Sequence, residues 1–239
     1  MLTILIPIKN EYENLNNIEI QFNSLLNEVD YEVILINDFS TDDTLNKAKA
    51  ISNNNKNFIT LDNGRKGLGG AISLGIEKAK GRFTCIMMAD FSDDIFDLKK
   101  YYQLIREKNL DAVLGSRFIN GSKVNNYPKN KLILNRIFNL FVKILFLNKY
   151  NDYTNAFKIY KTEVLKNFLP LVSESFNIFL EIPLKVISRN YKFEVIPISW
   201  EGRKKGTAKF DIKELGSKYL FTLFYCFLEK ILLSKKYEE

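Results

Sequence analysis

The first half of the chain alternates between two apolar patterns. Short runs rich in β-branched residues predict strands at Leu2–Pro7, Tyr31–Asn37, Asn57–Leu61, Phe83–Met88 and Asp111–Leu114. Between these runs, apolar residues recur every three or four positions, as they do on one face of a helix. Because strands and helices alternate, the sequence predicts an α/β fold whose sheet is largely parallel and doubly wound.

The predicted helices carry recognisable start and stop signals. Ser40 and Asp43 fit a capping box, which starts a helix that runs to about Ile51. Gly81 ends a later helix. The apolar faces of the other helices consist of Leu15, Ile18, Phe22, Leu25 and Leu26, then Leu68, Ile72, Gly75, Ile76 and Ala79, and then Ile95, Leu98, Tyr102 and Ile105.

The second half of the chain contains two long apolar segments. The first, residues 132–147, is a helical pattern in which only Asn135, Arg136, Asn139 and Lys143 are polar. Positions 135, 139 and 143 recur every fourth residue and make a narrow polar stripe. In the second, Tyr219–Leu228, Thr222 is the only conventional polar residue. Both segments are compatible with buried core or a homodimer face, and equally with a surface in the bilayer interface. We therefore divide the chain into a domain over residues 1–210 and a C-terminal apolar helix over residues 211–239.

Composition limits the chemistry that this chain can perform. Its 239 residues, 46% of them hydrophobic, fit one α/β domain of ordinary size. The net charge of +7 suits anionic ligands or an acidic membrane surface, and no nucleic-acid-binding module is recognisable. The absence of histidine excludes imidazole catalysis and histidine-ligated zinc. Cys85 and Cys226 have no motif spacing and are interpreted as reduced, buried thiols.

Neither a signal peptide nor a membrane span is predicted. The apolar run Leu2–Ile6 is too short for the central region of a signal peptide. No run reaches the roughly 18–20 uncharged apolar residues that a spanning helix needs. We expect a cytoplasmic protein that is peripheral at the inner face of the membrane.

Two acidic runs follow predicted strands. The run 38–43 comes after the second strand, and the run 90–94 comes after the fourth. In open α/β sheets, ligands bind beyond the carboxyl ends of the strands. Carboxylates gathered there suit Mg²⁺, which is typically held by one or two carboxylates together with substrate oxygens. These runs indicate a phosphate-bearing substrate and a divalent metal ion.

Short motifs spread over nearly the whole chain carry a family resemblance. They are Ile6–Glu11, Asn37–Thr44, Arg65–Ala71, Met88–Asp93, Gly115–Arg117, Asp152–Lys158 and Arg203–Lys209. In this order they resemble the motifs of family 2 glycosyltransferases, and within that family the polyprenol-phosphate type, similar to dolichol-phosphate mannose synthase. One such motif alone would be a weak signal, whereas a collinear series is a strong one.

The resemblance implies a GT-A (Rossmann-like) single domain with a mostly parallel central sheet flanked by helices. It implies transfer of a sugar, with inversion, from a nucleotide diphosphate sugar donor to a polyprenyl phosphate acceptor, with Mg²⁺ or Mn²⁺ as cofactor. A membrane surface or a membrane partner protein would then be a further partner. A phosphate monoester has a second pKa of about 6, so such an acceptor needs no strong base.

The resemblance also implies which residues form the site, motif by motif. The nucleotide-sugar-binding candidates are Pro7, Asn10, Glu11, Asp38, Lys66, Ala89 and Asp90. The family usually shows Asp-x-Asp at the metal, but Met88 occupies the first position here, so Asp90 is the metal-ligand candidate. The acceptor-binding candidates are Arg117, Asn135, Arg136 and Glu181, and the catalytic candidates are Asp90, Arg117, Asp152, Arg203 and Lys209. Arginine suits these roles because guanidinium pairs phosphate oxygens in a bidentate way.

Structural alternatives stay open for several of these residues. Asp38 could cap a turn, and Lys66 could be a solvated lysine. Asp152 and Glu181 could each be a buried carboxylate paired with an arginine. The segment Arg203–Lys209 could be an ordinary basic loop and not one that closes over nucleotide.

Two alternative functions also stay open. Transfer to a sugar hydroxyl would need a general base, and Asp152 or Glu181 would have to serve. A catalytically silent nucleotide-sugar-binding scaffold is the other alternative, because Met88, Ala156 and Lys158 depart from the usual family residues.

Overall fold

The structure, a computed structural model, describes residues 1–16, 18–25, 29–202 and 212–234. Its strands are β1 (Leu2–Ile8), β2 (Tyr31–Asn37), β3 (Phe58–Asp62), β4 (Phe83–Ile86), β5 (Ala112–Ser116), β6 (Lys123–Asn125), β7 (Lys158–Lys161), β8 (Phe193–Pro197) and β9 (Ser199–Glu201). Its helices are α1 (Ile18–Leu25), α2 (Thr44–Asn54), α3 (Leu68–Lys78), α4 (Ile95–Glu107), α5 (Lys129–Leu145), α6 (Thr162–Lys166), α7 (Ile178–Ser188) and α8 (Ile212–Ser234).

A seven-stranded sheet in the order β3-β2-β1-β4-β7-β5-β8 forms the centre of the molecule. Neighbouring strands pair in parallel except β7, which is antiparallel to both β4 and β5. The prediction of an α/β fold with a mostly parallel sheet is confirmed. Strand β7 has four residues with a lysine at each end, so its sequence shows no strand pattern. Strands β6 and β9 pair separately as a small ribbon.

The register of the parallel strands brings the candidate site residues to one edge of the sheet. Ile8 of β1 lies opposite Asn37 of β2, which lies opposite Asp62 of β3. On the other side of β1, Leu5 lies opposite Ile86 of β4. The segments that follow β1, β2 and β4 therefore emerge side by side, and both acidic runs lie at this carboxyl edge.

Helices cover both faces of the sheet. Side chains alternate along β1, so Leu5 joins the core under α3 and α5–α8, whereas Ile4 and Ile6 join the core under α1, α2 and α4. Gly75 allows α3 to lie close to the sheet, because a Cβ there would be 3.0 Å from the Leu5 side chain. The result is the doubly wound, three-layer arrangement that the alternating patterns predict.

The predicted start of the second helix is wrong. Helix α2 begins at Thr44, and the Asp43 side chain makes no capping hydrogen bond. The Thr44 amide donates instead to Asp42, and the Ser40 hydroxyl accepts from the backbone amide of Asn10. Ser40 therefore serves a tertiary contact that its local sequence does not reveal.

Helices α5 and α8 lie side by side and expose large apolar side chains. The rings of Phe138 and Tyr219 are 5.7 Å apart, and those of Phe146 and Phe227 are 5.9 Å apart. Exposed on these two helices and just beyond α5 are Ile133, Leu134, Ile137, Leu140, Phe141, Ile144, Leu147, Leu220, Phe221, Phe224, Tyr225, Leu228, Ile231 and Leu232, which we call the apolar surface. Among the described helices, none is long and apolar enough to cross a membrane.

The C-terminal helix shares a core with the rest of the molecule. Leu223 and Cys226 of α8 are fully buried in the core that also contains α3 and α7. The predicted domain boundary at 210, like Leu26 on the predicted face of α1, lies outside the described residues. Cys85 and Cys226 are both buried and free, as predicted.

Candidate active site

Asp38 ties the end of β2 to the segment before α3. Its carboxylate accepts hydrogen bonds from the Gly67 amide at 2.7 Å and from the Asn63 side chain at 3.1 Å. The Lys9 ammonium lies 3.6 Å from its other oxygen. The buried Asp38 therefore joins two loops at the carboxyl edge, which is more than the local turn cap that its sequence context also allowed.

The loop after β1 is bound to the loop after β2. Asn10, which has a positive φ of 50°, accepts from the Thr41 amide, and the Glu11 amide donates to the Thr44 hydroxyl. Glu11 is buried, and Pro7 is buried within β1 itself. Since the Asp38 amide also donates to the Ile8 carbonyl, these nucleotide-sugar candidates form one connected floor at the edge of the sheet.

The glycines before and in α3 are needed for close packing. Gly67 has a φ of +112°, and a Cβ there would lie 2.6 Å from the Glu174 carbonyl oxygen. A Cβ on Gly69 would lie only 1.9 Å from the carbonyl oxygen of Ser173. A backbone segment thus occupies the space that side chains would take. Lys66, next to these glycines, is exposed.

Asp90 lies in the loop that follows β4. It is half-buried, its carboxylate accepts from the Ser92 amide at 3.1 Å, and the adjacent Ala89 is buried. Asp94 caps α4 by accepting from the Phe96 amide, so its carboxylate serves the helix. The loop is fixed to β9, because the Glu201 amide donates to the Ser92 carbonyl at 2.8 Å.

The described residues contain no group of three acidic or thiol side chains that could hold a metal alone. Asp90 fits a different kind of site, in which Mg²⁺ or Mn²⁺ is held by one protein carboxylate together with the phosphates of a substrate. Its half-exposed position at the carboxyl edge suits this arrangement.

Arg117 and Asp152 form a buried ion pair. The Arg117 side chain donates to both carboxylate oxygens of Asp152, at 2.8 and 2.7 Å, and its backbone amide donates to the same group at 2.9 Å. Burial acts to lower the pKa of Arg117, but the Asp152 carboxylate outweighs it and holds that pKa above its ordinary value. The two catalytic candidates therefore bind each other, and both oxygens of Asp152 are occupied.

Two further buried ionisable groups lie beside this pair. Burial, and then the nearby Asp90, raise the pKa of Asp93 to about 7, and one Asp93 oxygen has no hydrogen-bond partner within the described residues. Burial lowers the pKa of Lys158 to about 7, although Asp152 acts in the opposite direction. The Lys158 ammonium donates to the backbone carbonyls of Tyr153 and Asn155.

Aromatic rings surround the Arg117 guanidinium. Its central carbon lies 5.2 Å from the Phe118 ring centroid, 5.5 Å from that of Tyr127 and 5.6 Å from that of Trp200. Pairing of β6 with β9 sets Val124 opposite Trp200. Sequence reasoning missed this cluster; the only signal was that the single tryptophan lies close to a basic motif.

Among the acceptor candidates on α5, the two adjacent residues point to different places. Arg136 is exposed and its guanidinium lies 4.3 Å from the Phe118 ring centroid, with one long hydrogen bond of 3.5 Å to the Asn151 carbonyl. Asn135 donates to the Thr154 hydroxyl at 2.7 Å. Asn135 thus holds the loop that carries Asp152, whereas Arg136 faces solvent.

Glu181 lies in another part of the structure. Its buried carboxylate accepts from the Val172 and Ser173 amides at 3.1 and 2.8 Å and lies 3.3 Å from the Lys185 ammonium. It supports the segment that packs on the glycines of α3. Arg203 and Lys209 lie outside the described residues, so their predicted roles stay predictions.

The fold and the motifs at its carboxyl edge match a known class of enzyme. The family model for glycosyl transferase family 2 matches residues 3–169, which is more than half of the chain. The chain therefore belongs to glycosyl transferase family 2, and the predicted family is confirmed.

Two curated relatives bring the comparison closer. The chain is 26% identical over 210 residues to dolichol-phosphate mannosyltransferase of Pyrococcus furiosus, covering 87% of this chain but only 58% of that protein. It is 24% identical over 213 residues to polyprenol monophosphomannose synthase of Mycolicibacterium smegmatis, covering 86% of this chain and 79% of the relative. The chain thus spans a little over half the length of the first.

Solved structures identify the fold. Crystal structures of glucosyl-3-phosphoglycerate synthase from Mycobacterium tuberculosis align with a TM-score of 0.71 at 14% identity, over 95% of this chain and 80% of theirs. A complex of that enzyme with Mn²⁺, uridine diphosphate and glucosyl-3-phosphoglycerate aligns with a TM-score of 0.69 at 15% identity, over 95% of this chain and 79% of that one. These neighbours confirm the GT-A fold, and they show a divalent ion and a nucleotide bound within it.

Lys158 predicts a specific pH dependence of stability. Its pKa is about 7 in the folded chain and about 10.5 when unfolded, so between these values the unfolded state binds the extra proton. Stability should therefore rise with pH in this window. In urea unfolding, the free energy of unfolding of Lys158→Met should not show this rise. Its slope with pH should be smaller than that of the unchanged chain by up to about 1.4 kcal/mol per pH unit.

An exposed lysine serves as the control for Lys158→Met. Lys149 is exposed, so Lys149→Met should keep the pH dependence of the unchanged chain. The prediction would be contradicted if the free energies of unfolding of Lys158→Met and of the unchanged chain changed with pH in the same way between about pH 7 and 9.

Proposed function

We propose that this protein transfers a sugar from a nucleotide diphosphate sugar to a polyprenyl phosphate, with inversion at the anomeric carbon. The observation that carries the proposal is the state of Asp152 and Glu181, the two carboxylates that the sequence offers as base for a hydroxyl acceptor. Arg117 occupies both oxygens of Asp152, and backbone amides occupy both oxygens of Glu181. A phosphate acceptor does not require either of them, because its second pKa is about 6.

The relatives support the choice of acceptor. The names of both curated relatives describe transfer of mannose to a polyprenol-type phosphate. The alternatives, a saccharide hydroxyl acceptor and a silent scaffold, have no comparable support. With Asp152 and Glu181 occupied, Asp93 is the remaining buried carboxyl that could serve a hydroxyl acceptor as base; burial, and then the nearby Asp90, raise its pKa to about 7.

On the donor side, this chain's residues would bind and orient. Asp38, which joins the loops after β1 and β2 to the glycines of α3 at the carboxyl edge, would contact the base and ribose. Asp90 would hold Mg²⁺ or Mn²⁺ together with the donor diphosphate. When bound, that ion supplies positive charge that stabilises the leaving diphosphate.

On the acceptor side, Arg136 is the cation best suited to the acceptor phosphate among the residues that the structure describes. It is exposed, it is stacked on Phe118, and it has one weak hydrogen bond. Arg117 also lies near the Phe118 ring, but its side chain is bound to Asp152. We therefore assign Arg136 to phosphate binding and Arg117 to positioning the loop beneath it.

The apolar surface of α5 and α8 would face the membrane in which the acceptor lipid lies. Its exposed leucine, isoleucine and phenylalanine side chains lie on neighbouring helices, and exposed Lys129, Lys131 and Lys149 flank the ends of α5. Apolar side chains flanked by lysines are typical of surfaces that lie in the bilayer interface. The protein would thus be peripheral at the membrane surface, close to its substrate.

The metal assignment is tested by Asp90→Asn. Manganese binding in the presence of guanosine or uridine diphosphate, measured by electron paramagnetic resonance, should weaken at least about tenfold, and turnover should fall by orders of magnitude. Asp94→Asn is the matched control in the same loop, because asparagine also caps helices well. Equal manganese affinity of Asp90→Asn and the unchanged chain would refute the assignment.

The acceptor is tested by direct comparison of two substrates. With a panel of nucleotide sugars, transfer to a short polyprenyl phosphate should exceed transfer to a soluble oligosaccharide. Arg136→Ala should raise the KM for lipid phosphate about tenfold or more and leave the KM for donor nearly unchanged, since one charge-assisted bond is lost.

The control for Arg136 is an exposed arginine that lies over an aromatic ring elsewhere in the molecule. Arg106 is also exposed and stacked on a ring, that of Tyr102, so Arg106→Ala should leave both KM values unchanged. Transfer to the oligosaccharide alone, abolished by Asp93→Asn, would favour the hydroxyl acceptor instead. No turnover of any nucleotide sugar, with nucleotide still bound, would favour the silent scaffold.

Membrane binding is tested on the apolar surface itself. Ile137 and Phe221 are 61% and 63% exposed, so replacing both with serine should leave the fold intact. Flotation with anionic vesicles should fall about tenfold or more, because two large apolar side chains no longer enter the bilayer. Ile20→Ser, at a site that is 68% exposed on α1, is the control, and an equal loss there would contradict the assignment.

A further inference from the structure

A short backbone segment, residues 172–174, lies between the C-terminal helix and the glycines of α3. On one side, the Gly69 amide donates to the Glu174 carbonyl at 3.1 Å. The carbonyl groups of Glu174 and Ser173 fill the spaces beside Gly67 and Gly69, so a Cβ at either glycine would clash with them. Because these are contacts between backbones, neither side can move far without displacing the other.

On its other side, the segment is held by buried polar side chains. The side-chain amide of Asn177 donates to the Ser173 hydroxyl at 3.0 Å and to the Thr222 hydroxyl at 2.8 Å. The hydroxyls of Ser173 and Thr222 are themselves 3.3 Å apart. Glu181 accepts from the amides of residues 172 and 173, which fixes the backbone of the segment.

Thr222 connects this network to α8. It is the only conventional polar residue between Tyr219 and Leu228, and it is fully buried, whereas its neighbours Leu220, Phe221 and Phe224 are exposed. A hydroxyl at this place is costly unless it is hydrogen-bonded. Its partners are the residues that hold the segment, so α8 is fastened to it by more than apolar contact.

The same contacts continue to the donor side. Gly67 donates its amide to Asp38, the residue assigned to the nucleotide. From Thr222 to Asp38, hydrogen bonds and close backbone contacts follow one another through Asn177, Ser173 and the glycines.

We propose that Thr222 and Asn177 are positioning residues for donor binding, and that α8 is a structural part of the donor site. The proposal rests on the proposed function, because it takes Asp38 and the glycines of α3 as the donor side. Thr222 and Asn177 touch no substrate; they act by holding residues 172–174 against Gly67 and Gly69. Loosening this support should weaken the binding of nucleotide and leave the acceptor side unaffected.

The test replaces the Thr222 hydroxyl without changing the shape of the side chain. In the full chain with Mn²⁺, calorimetry of guanosine diphosphate and uridine diphosphate should give an about fivefold weaker Kd for Thr222→Val. Thr222→Ser keeps the hydroxyl and should bind nucleotide as the unchanged chain does. In turnover, the KM for donor should rise in Thr222→Val while the KM for acceptor stays constant.

Ser188→Ala is the matched control, because the Ser188 hydroxyl also joins α7 to α8, through the Cys226 carbonyl, without reaching residues 172–174. It should leave the nucleotide Kd unchanged. An unchanged nucleotide Kd in a folded Thr222→Val would overturn the proposal while leaving the proposed function intact. The same holds if Thr222→Ser and Ser188→Ala weaken nucleotide binding as much as Thr222→Val does. Failure of the unchanged chain to bind any of the common nucleoside diphosphates would overturn the proposed function, and this inference with it.

Discussion

The buried pair of Arg117 and Asp152 is the interaction on which the arrangement of the site depends. Removing two charges from water is expensive, and their attraction offsets this cost only when the geometry is good and every donor and acceptor is satisfied. Here the planar guanidinium meets both carboxylate oxygens, and the Arg117 amide adds a third bond. Loss of either partner would leave an uncompensated buried charge, which typically costs about 3–5 kcal/mol.

The pair of Arg117 and Asp152 determines which neighbouring side chains are free to act on a substrate. It joins the end of β5 to the loop before β7, so the aromatic rings around Arg117 and the exposed Arg136 have a rigid base. It also occupies the carboxylate that would otherwise be the obvious base. A chain with no histidine and with Asp152 bound in this way is suited to align reactants and to stabilise charge, which can supply most of the barrier reduction in transfer between phosphate-bearing substrates.

Residues at strand ends could be predicted from sequence, and pairs joined by the tertiary fold could not. Asp38 and Asp90 lie at the carboxyl edge because each follows a clear apolar strand, and the direction of a parallel sheet then fixes the place. Arg117 and Asp152 were each candidates, but 35 positions separate them and no local pattern shows that they meet. Strand β7 was missed for a similar reason, since its place between β4 and β5 depends on partners and not on its own residues.

Helix α5 shows how the same sequence pattern can be read in two directions. A polar stripe on an apolar helix usually points to water, yet Asn139 is buried, where it accepts from the Tyr153 amide, and the apolar side is exposed. Asn135 and Asn139 of the stripe hydrogen-bond the loop that carries Asp152, whose buried backbone must be hydrogen-bonded somewhere. The apolar side then needs a surrounding other than water, since a contiguous exposed apolar patch marks a site of interaction. The acceptor that we propose for this protein is a lipid phosphate, so the helix that supports the loop of Asp152 from within is also the one that would meet the substrate's own environment.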